Sequence, residues 1–318
     1  MEFTSREATQ QRVSPLDTTA SALIKTILYF DIFKYPLTQQ ELLENAQLQD
    51  ATLEEIADTL HYLVSGNFLA TNENYFFLPG KEYYVLRRKK GNDAARNKMK
   101  QAIRVSKLIA KFPFVESISI SGSLSKNYME ADSDIDFFII TKPKRLWLCR
   151  GLLVVFKKLF LFNSRKHFCI NYYVDSNNLL IADQNIFTAT EIVHLIPTYN
   201  GDLFLEFLKQ NAWSKIYYPN KNAPKLFGIP RVKSSVRVFL EWMINGTVGE
   251  WLDGFFFRIT LNRWKKKFGH FNEDEFDLNL RSRKNISKHH PRGYQKVVLD
   301  AYFKLTEAYQ LQYNVKLL

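Results

Sequence analysis

At 318 residues, with 46% hydrophobic and 15% aromatic side chains, the chain has the apolar material for a packed core and room for two or three modules of roughly 100–200 residues, which excludes a disordered or low-complexity protein. The net charge of +12 invites a polyanionic partner, but it is unevenly spread. Between Thr18 and Gly80 eight acids stand against two bases, and from Lys81 to Phe114 eleven bases stand against Glu82 and Asp93, so the basic character begins where a first module ends.

The opening MEFTSREATQQRVSP is polar, without an apolar h-region, and predicts a loose leader, no secretory signal and a cytoplasmic location. TASALIKTILYFDIFKYPLTQQELLENA then predicts an apolar helix, a Pro-containing turn and a second helix with a capping box of Thr38 and Glu41. A third helix from about Thr52 to Ser65 follows from Leu53, Ile56, Leu60 and Leu63 at helical spacing, with Gly66 ending it. GNFLATNENYFFLPG reads as two short strands around a Thr-Asn-Glu-Asn turn. Three helices and a hairpin resemble a winged helix-turn-helix domain over residues 18–84. That resemblance implies a third helix used in the DNA major groove, yet this helix carries Glu54, Glu55 and Asp58 and no Lys or Arg. A docking or regulatory contact with a protein partner is therefore expected in place of DNA binding.

YYVLRRKKGNDAARNKMKQAIRVSKLIAKF predicts a basic helix interrupted at Gly91-Asn92. Its apolar positions Ala102, Val105, Leu108 and Ile109 suit packing on a sheet, and its charged side is open to nucleic acid, nucleotide phosphates or solvent. VESISISG alternates as a strand ending at Gly122. DIDFFIIT is a second strand, on which Asp134 and Asp136 share a face about 7 Å apart. Two carboxylates so close repel one another and resist desolvation, and a divalent cation between them removes both costs.

The run of strand, Gly122-Ser123, ten intervening residues, Asp134-Ile135-Asp136 and strand resembles the signature of the polymerase-beta-type nucleotidyltransferase superfamily. The resemblance implies an α/β (α+β) domain over residues 85–213, a mixed sheet with flanking helices. It also implies an NTP substrate, with ATP as first choice, and transfer of a nucleoside monophosphate to a hydroxyl of a small molecule, a protein or an RNA end. Asp134 and Asp136 are then ligands for Mg²⁺ or Mn²⁺, Gly122 the point of close approach to the phosphates, Ser123 a donor to a phosphate oxygen, and Lys126 a basic residue for the same phosphates. The family adds a third acid on a neighbouring strand, here HFCINYYVD. Its inward polar position is Asn171, which cannot act as a base, and the nearest acid is Asp175, on the same face about 13 Å further along. Either Asp175 substitutes, or transfer is impaired and the chain is a nucleotide-binding, regulatory or assembly module.

RLWLCRGLLVVFKKLF predicts a buried helix with a basic edge and not a membrane span, and Cys149 and Cys169 read as buried free thiols. Beyond Asp175, helices pack beside the sheet, with Glu191 open to two readings, an additional polar group near the site or, preferred, a helix-surface residue. Residues 214–318 form a helical C-terminal region. Its Arg263–Lys267 cluster is open to nucleic acid, a membrane surface or an acidic partner, and His289-His290-Pro291 reads as a plain polar loop.

Overall fold

The computed structural model describes residues 14–130, 132–160, 169–224, 226 and 235–318. The predicted leader up to residue 13, and His167 and Phe168 of the third predicted strand, lie outside the described residues. The chain is mixed α and β, and it divides into two units, one of residues up to Val85 with Asp300–Leu318 and one of Leu86–Leu299.

The first unit begins with β1 (Ser14–Pro15) and α1 (Thr18–Asp31), whose N-cap Asp17 accepts from the Ala20 N–H at 2.6 Å. Ala20, Leu23, Ile24, Ile27 and Leu28 are all buried, as a helix apolar nearly all round requires. β2 (Leu37–Thr38), α2 (Gln39–Asn45) and α3 (Leu53–Ser65) follow. Both later helices start with a complete capping box, Thr38 with Glu41 and Thr52 with Glu55. β3 (Ala70–Asn72) and β4 (Tyr75–Phe77) are antiparallel, and Glu73 and Asn74 between them both have positive φ, the conformation of a two-residue type I′ hairpin turn. β2 completes the sheet on β4.

α4 runs unbroken from Tyr83 to Ile109, through the interruption predicted at Gly91-Asn92. Gly91 is there for space: a Cβ on it would lie 2.1 Å from the Tyr128 ring, and its carbonyl accepts from the Met129 N–H. In the second unit β5 (Val115–Ser121), α5 (Gly122–Ser125), β6 (Asp136–Thr141), α6 (Leu146–Phe160), β7 (Cys169–Asp175), α7 (Ile186–Val193), β8 (Ile196–Tyr199) and α8 (Gly201–Gln210) follow in order. The chain continues through α9 (Ser235–Met243), α10 (Gly246–Lys267), α11 (Glu273–Leu280), β9 (Ser282–Arg283) and β10 (Ile286–Lys288). One six-stranded sheet has the order β8-β5-β6-β7-β10-β9, with β6 and β7 parallel and every other pair antiparallel.

Both faces of this sheet are covered, which is why β6 reads as a continuous apolar run. Ile118, Ile120, Phe137, Ile139 and Tyr173 join a core with residues of α4, α6 and α10, while Phe138, Ile140 and Val174 join Ile192, Phe204 and Phe207 of α7 and α8. Ser117, buried on β5, satisfies its hydroxyl on the Tyr199 and Asn200 carbonyls.

Residues 214–318 are not a separate helical region. They supply two strands to the central sheet and α10 to its packing, because β7 has an open edge that β10 pairs with. α12 (Tyr294–Tyr313) passes into the first unit, where Tyr309 Oη donates to the Phe68 carbonyl at 2.9 Å and β11 (Val315–Lys316) pairs in parallel with β1. No helix among the described residues is long and apolar enough to cross a membrane.

Candidate active site

Three strand ends define the site. Ser121 ends β5 opposite Asp136, which starts β6, and Asp136 pairs in parallel register with Cys169, which starts β7. Gly122 follows β5 with φ +68°, and a Cβ there would stand 2.6 Å from Asp136 Oδ2. The turn therefore needs glycine twice over, for its left-handed backbone and for its approach to a carboxylate. Between Phe137–Ile170 and Phe138–Tyr172 the register slips by one residue, leaving Asn171 as a bulge. Its Nδ2 donates to Asp136 Oδ1 at 2.8 Å, and its Oδ1 accepts from the Cys169 thiol at 3.2 Å.

Asp136 is the electrostatic centre. Burial first, then the charges of Asp134 and Glu191, push its carboxyl up to about 7, against smaller opposing effects of a hydrogen bond with Cys169 and the charge of Lys126. Burial and the neighbouring Asp136 likewise push the Cys169 thiol up to about 12, so it serves as a neutral donor. Lys126 Nζ donates to the Gly122 carbonyl at 3.2 Å and to Glu191 Oε1 at 2.9 Å. This pair ties α7 to the turn after β5.

The predicted residues separate into two groups. Gly122, Ser123, Lys126, Asp134, Asp136 and Asn171 gather around the start of β6, with Asp134 two residues before that strand begins. Ser123 Oγ lies 3.6 Å from Met129 Sδ. Asp175 is elsewhere: it pairs with Thr141 at the far end of β6 and accepts from the Asn177 N–H at 3.1 Å and Asn178 Nδ2 at 2.8 Å. It shapes the turn after β7, and five strand residues separate it from the level of Asp136, about 17 Å. It cannot replace a third acid at this end.

Three further contributors border the site. Glu191, for which a helix surface is the preferred expectation and a place near the site the other, is half-buried against Lys126. Cys169, expected to be buried, is only half-buried and hydrogen-bonded in the site. The His289 N–H donates to the Asn171 carbonyl at 2.8 Å, so the loop read as plain polar chain borders the bulge. Its His290 is held neutral down to about pH 4, chiefly by burial. None of these has a local sequence signal, because each is brought in by pairing or packing from a distant segment.

Among the described residues no group of three or more His, Cys, Asp and Glu side chains is disposed to hold a metal ion. The donor set is the Asp134 and Asp136 carboxylates, the Asn171 amide presenting its N–H to Asp136 and its oxygen to the Cys169 thiol. That suits a hard cation which completes its shell with water and substrate oxygens, and the charge crowded on Asp136 is what such a cation relieves. Comparison with family models, with characterised proteins and with solved structures returned no match for this chain.

Proposed function

We propose that the chain is a divalent-metal-dependent nucleotidyltransferase that takes an NTP, ATP first, and passes its nucleoside monophosphate to a hydroxyl acceptor. The observation that carries the reading is the half-buried Asp136 carboxyl at the start of β6, set against a positive-φ turn where a Gly122 Cβ would stand 2.6 Å from its Oδ2, with burial and the charges of Asp134 and Glu191 raising it to about 7. Asp134 and Asp136 would hold Mg²⁺ or Mn²⁺, which supplies charge neutralisation at the reacting phosphate. Gly122 keeps the turn free of a side chain where the phosphates approach, and Ser123 donates its hydroxyl there. Lys126, already anchored on Glu191, brings a positive charge to the same turn. Asn171 orients Asp136 but cannot accept the acceptor's proton, so transfer is slow or relies on the acceptor's own acidity.

That Asn171 contact favours a second reading, in which the same site binds nucleotide and metal without turnover. Purified protein with labelled NTPs, Mg²⁺ or Mn²⁺ and candidate acceptors, itself included, separates them. Label transfer supports the enzyme, metal-dependent binding without transfer supports the binding module, and the absence of both overturns the site assignment. The first unit, with Glu54 and Glu55 in the first turn of α3, is proposed as a protein-docking module.

A further inference from the structure

Helices α9 and α10 each carry two apolar or anchored sides, of which one is packed. On α9, Arg237 and Glu241 pair at 2.8 Å and turn inward, the arginine donating to the Ala110 and Val115 carbonyls and the glutamate accepting from the Phe114 N–H. Val238, Phe239 and Trp242 of the same helix are 65%, 57% and 75% exposed. On α10, Leu252, Phe256 and Phe257 pack on the core and Asp253 accepts from the Leu148 N–H at 2.8 Å. Trp251, Phe255 and Ile259, at i, i+4 and i+8, are 61%, 40% and 50% exposed. The Trp251 and Phe255 rings stack at 5.6 Å. Single exposed apolar side chains are ordinary, but three on each of two consecutive helices, two of the six being tryptophans, are apolar faces that need an occupant.

Charge decides which one. From Gly254 to Lys267 there are five bases, Arg258, Arg263, Lys265, Lys266 and Lys267, and no acid, and all five are exposed. A second copy of a chain with net charge +12 would bring the same cations against them. An anionic bilayer surface accepts both features, with tryptophan and phenylalanine settling at the headgroup boundary and lysine and arginine meeting the phosphates. We propose that the exposed side of α9 and α10 is a peripheral docking surface for an anionic membrane, lying on the bilayer without spanning it.

The test is flotation of the full chain with vesicles of phosphatidylcholine alone and of phosphatidylcholine mixed with phosphatidylserine. The expected result is binding to the anionic vesicles at least about tenfold stronger than to the neutral ones, weakened by salt, with a blue shift of tryptophan emission. Trp242→Ser with Trp251→Ser should weaken this binding about tenfold, and Lys265→Glu with Lys266→Glu should reduce it to the neutral-vesicle level. Thermal melts control for folding, since all four positions are exposed. Absence of vesicle binding by the folded wild-type chain overturns the proposal. So does a concentration-dependent dimer lost in the tryptophan variant without any vesicle binding, which would assign the surface to a second copy.

Discussion

Asp136 and Asp175 sit at opposite ends of the same parallel strand pair, β6 with β7. Asp175 is 5% exposed and its oxygen receives two N–H groups from the turn that follows it. Asp136 receives the Asn171 amide but faces Asp134 and Glu191, and its carboxyl rises to about 7. A buried acid whose neighbours donate to it is part of the architecture. A half-buried one whose neighbours repel it is held at a cost that a bound cation would relieve.

The largest test of this contrast is Asp134→Asn with Asp136→Asn. Isothermal titration with an NTP and Mg²⁺ should register a fall in affinity of about 10³-fold or more, while the metal-free fold keeps or gains stability because two repelling charges are gone. Unchanged affinity would remove the site from this end of the sheet.

A pH series without divalent cations probes that cost directly. The folded carboxyl of Asp136 binds its proton up to about pH 7, whereas the unfolded one releases it near pH 4. The folded state thus holds the extra proton in between, and stability should fall by on the order of 4 kcal/mol as pH rises from about 4 through 7. Urea melts of wild type should follow that slope and Asp136→Asn should flatten it; parallel slopes would contradict the carboxyl's assignment. Added Mg²⁺ should recover stability at pH 8 in the wild type alone.

Asn171→Asp sharpens the contrast from a third position. A charged ligand and base beside Asp136 should raise any transfer rate about 10–100-fold while lowering metal-free stability through added repulsion. A slower enzyme after this change would mean that the amide's hydrogen bond to Asp136 matters more than a missing base. The smallest effect belongs to Asp175→Ala, which strands the Asn177 N–H and the Asn178 amide. It should cost about 1–3 kcal/mol in denaturant melts and leave nucleotide affinity within about twofold.

The site's placement was partly legible because its signals are local. Gly122 must be glycine for its φ and its closeness to Asp136, and Asp134 and Asp136 precede an unmistakably apolar strand. The choice between Asn171 and Asp175 was not legible. Both lie on one face of an ideal strand, and only the register of β7 against β6, with its bulge at Asn171, puts one beside Asp136 and the other at the far end. Gly91 misled for a related reason: glycine breaks a helix by propensity, but here a distant Tyr128 ring needs the missing side chain.

The sequence by itself determined what depends on neighbours along the chain: the caps at Thr38 and Thr52, the hairpin at Glu73-Asn74, the apolar run of β6, and the glycine and carboxylates at its start. Only the tertiary structure decided what depends on segments far apart. It drew Glu191 onto Lys126 and His289 onto Asn171, and it gave residues after 214 to both units. It also left Trp242 and Trp251 facing outward on helices whose other sides are packed. The physical reason is that caps and turns are satisfied within a few residues, whereas burial and strand pairing are satisfied by whichever partner the folded chain presents.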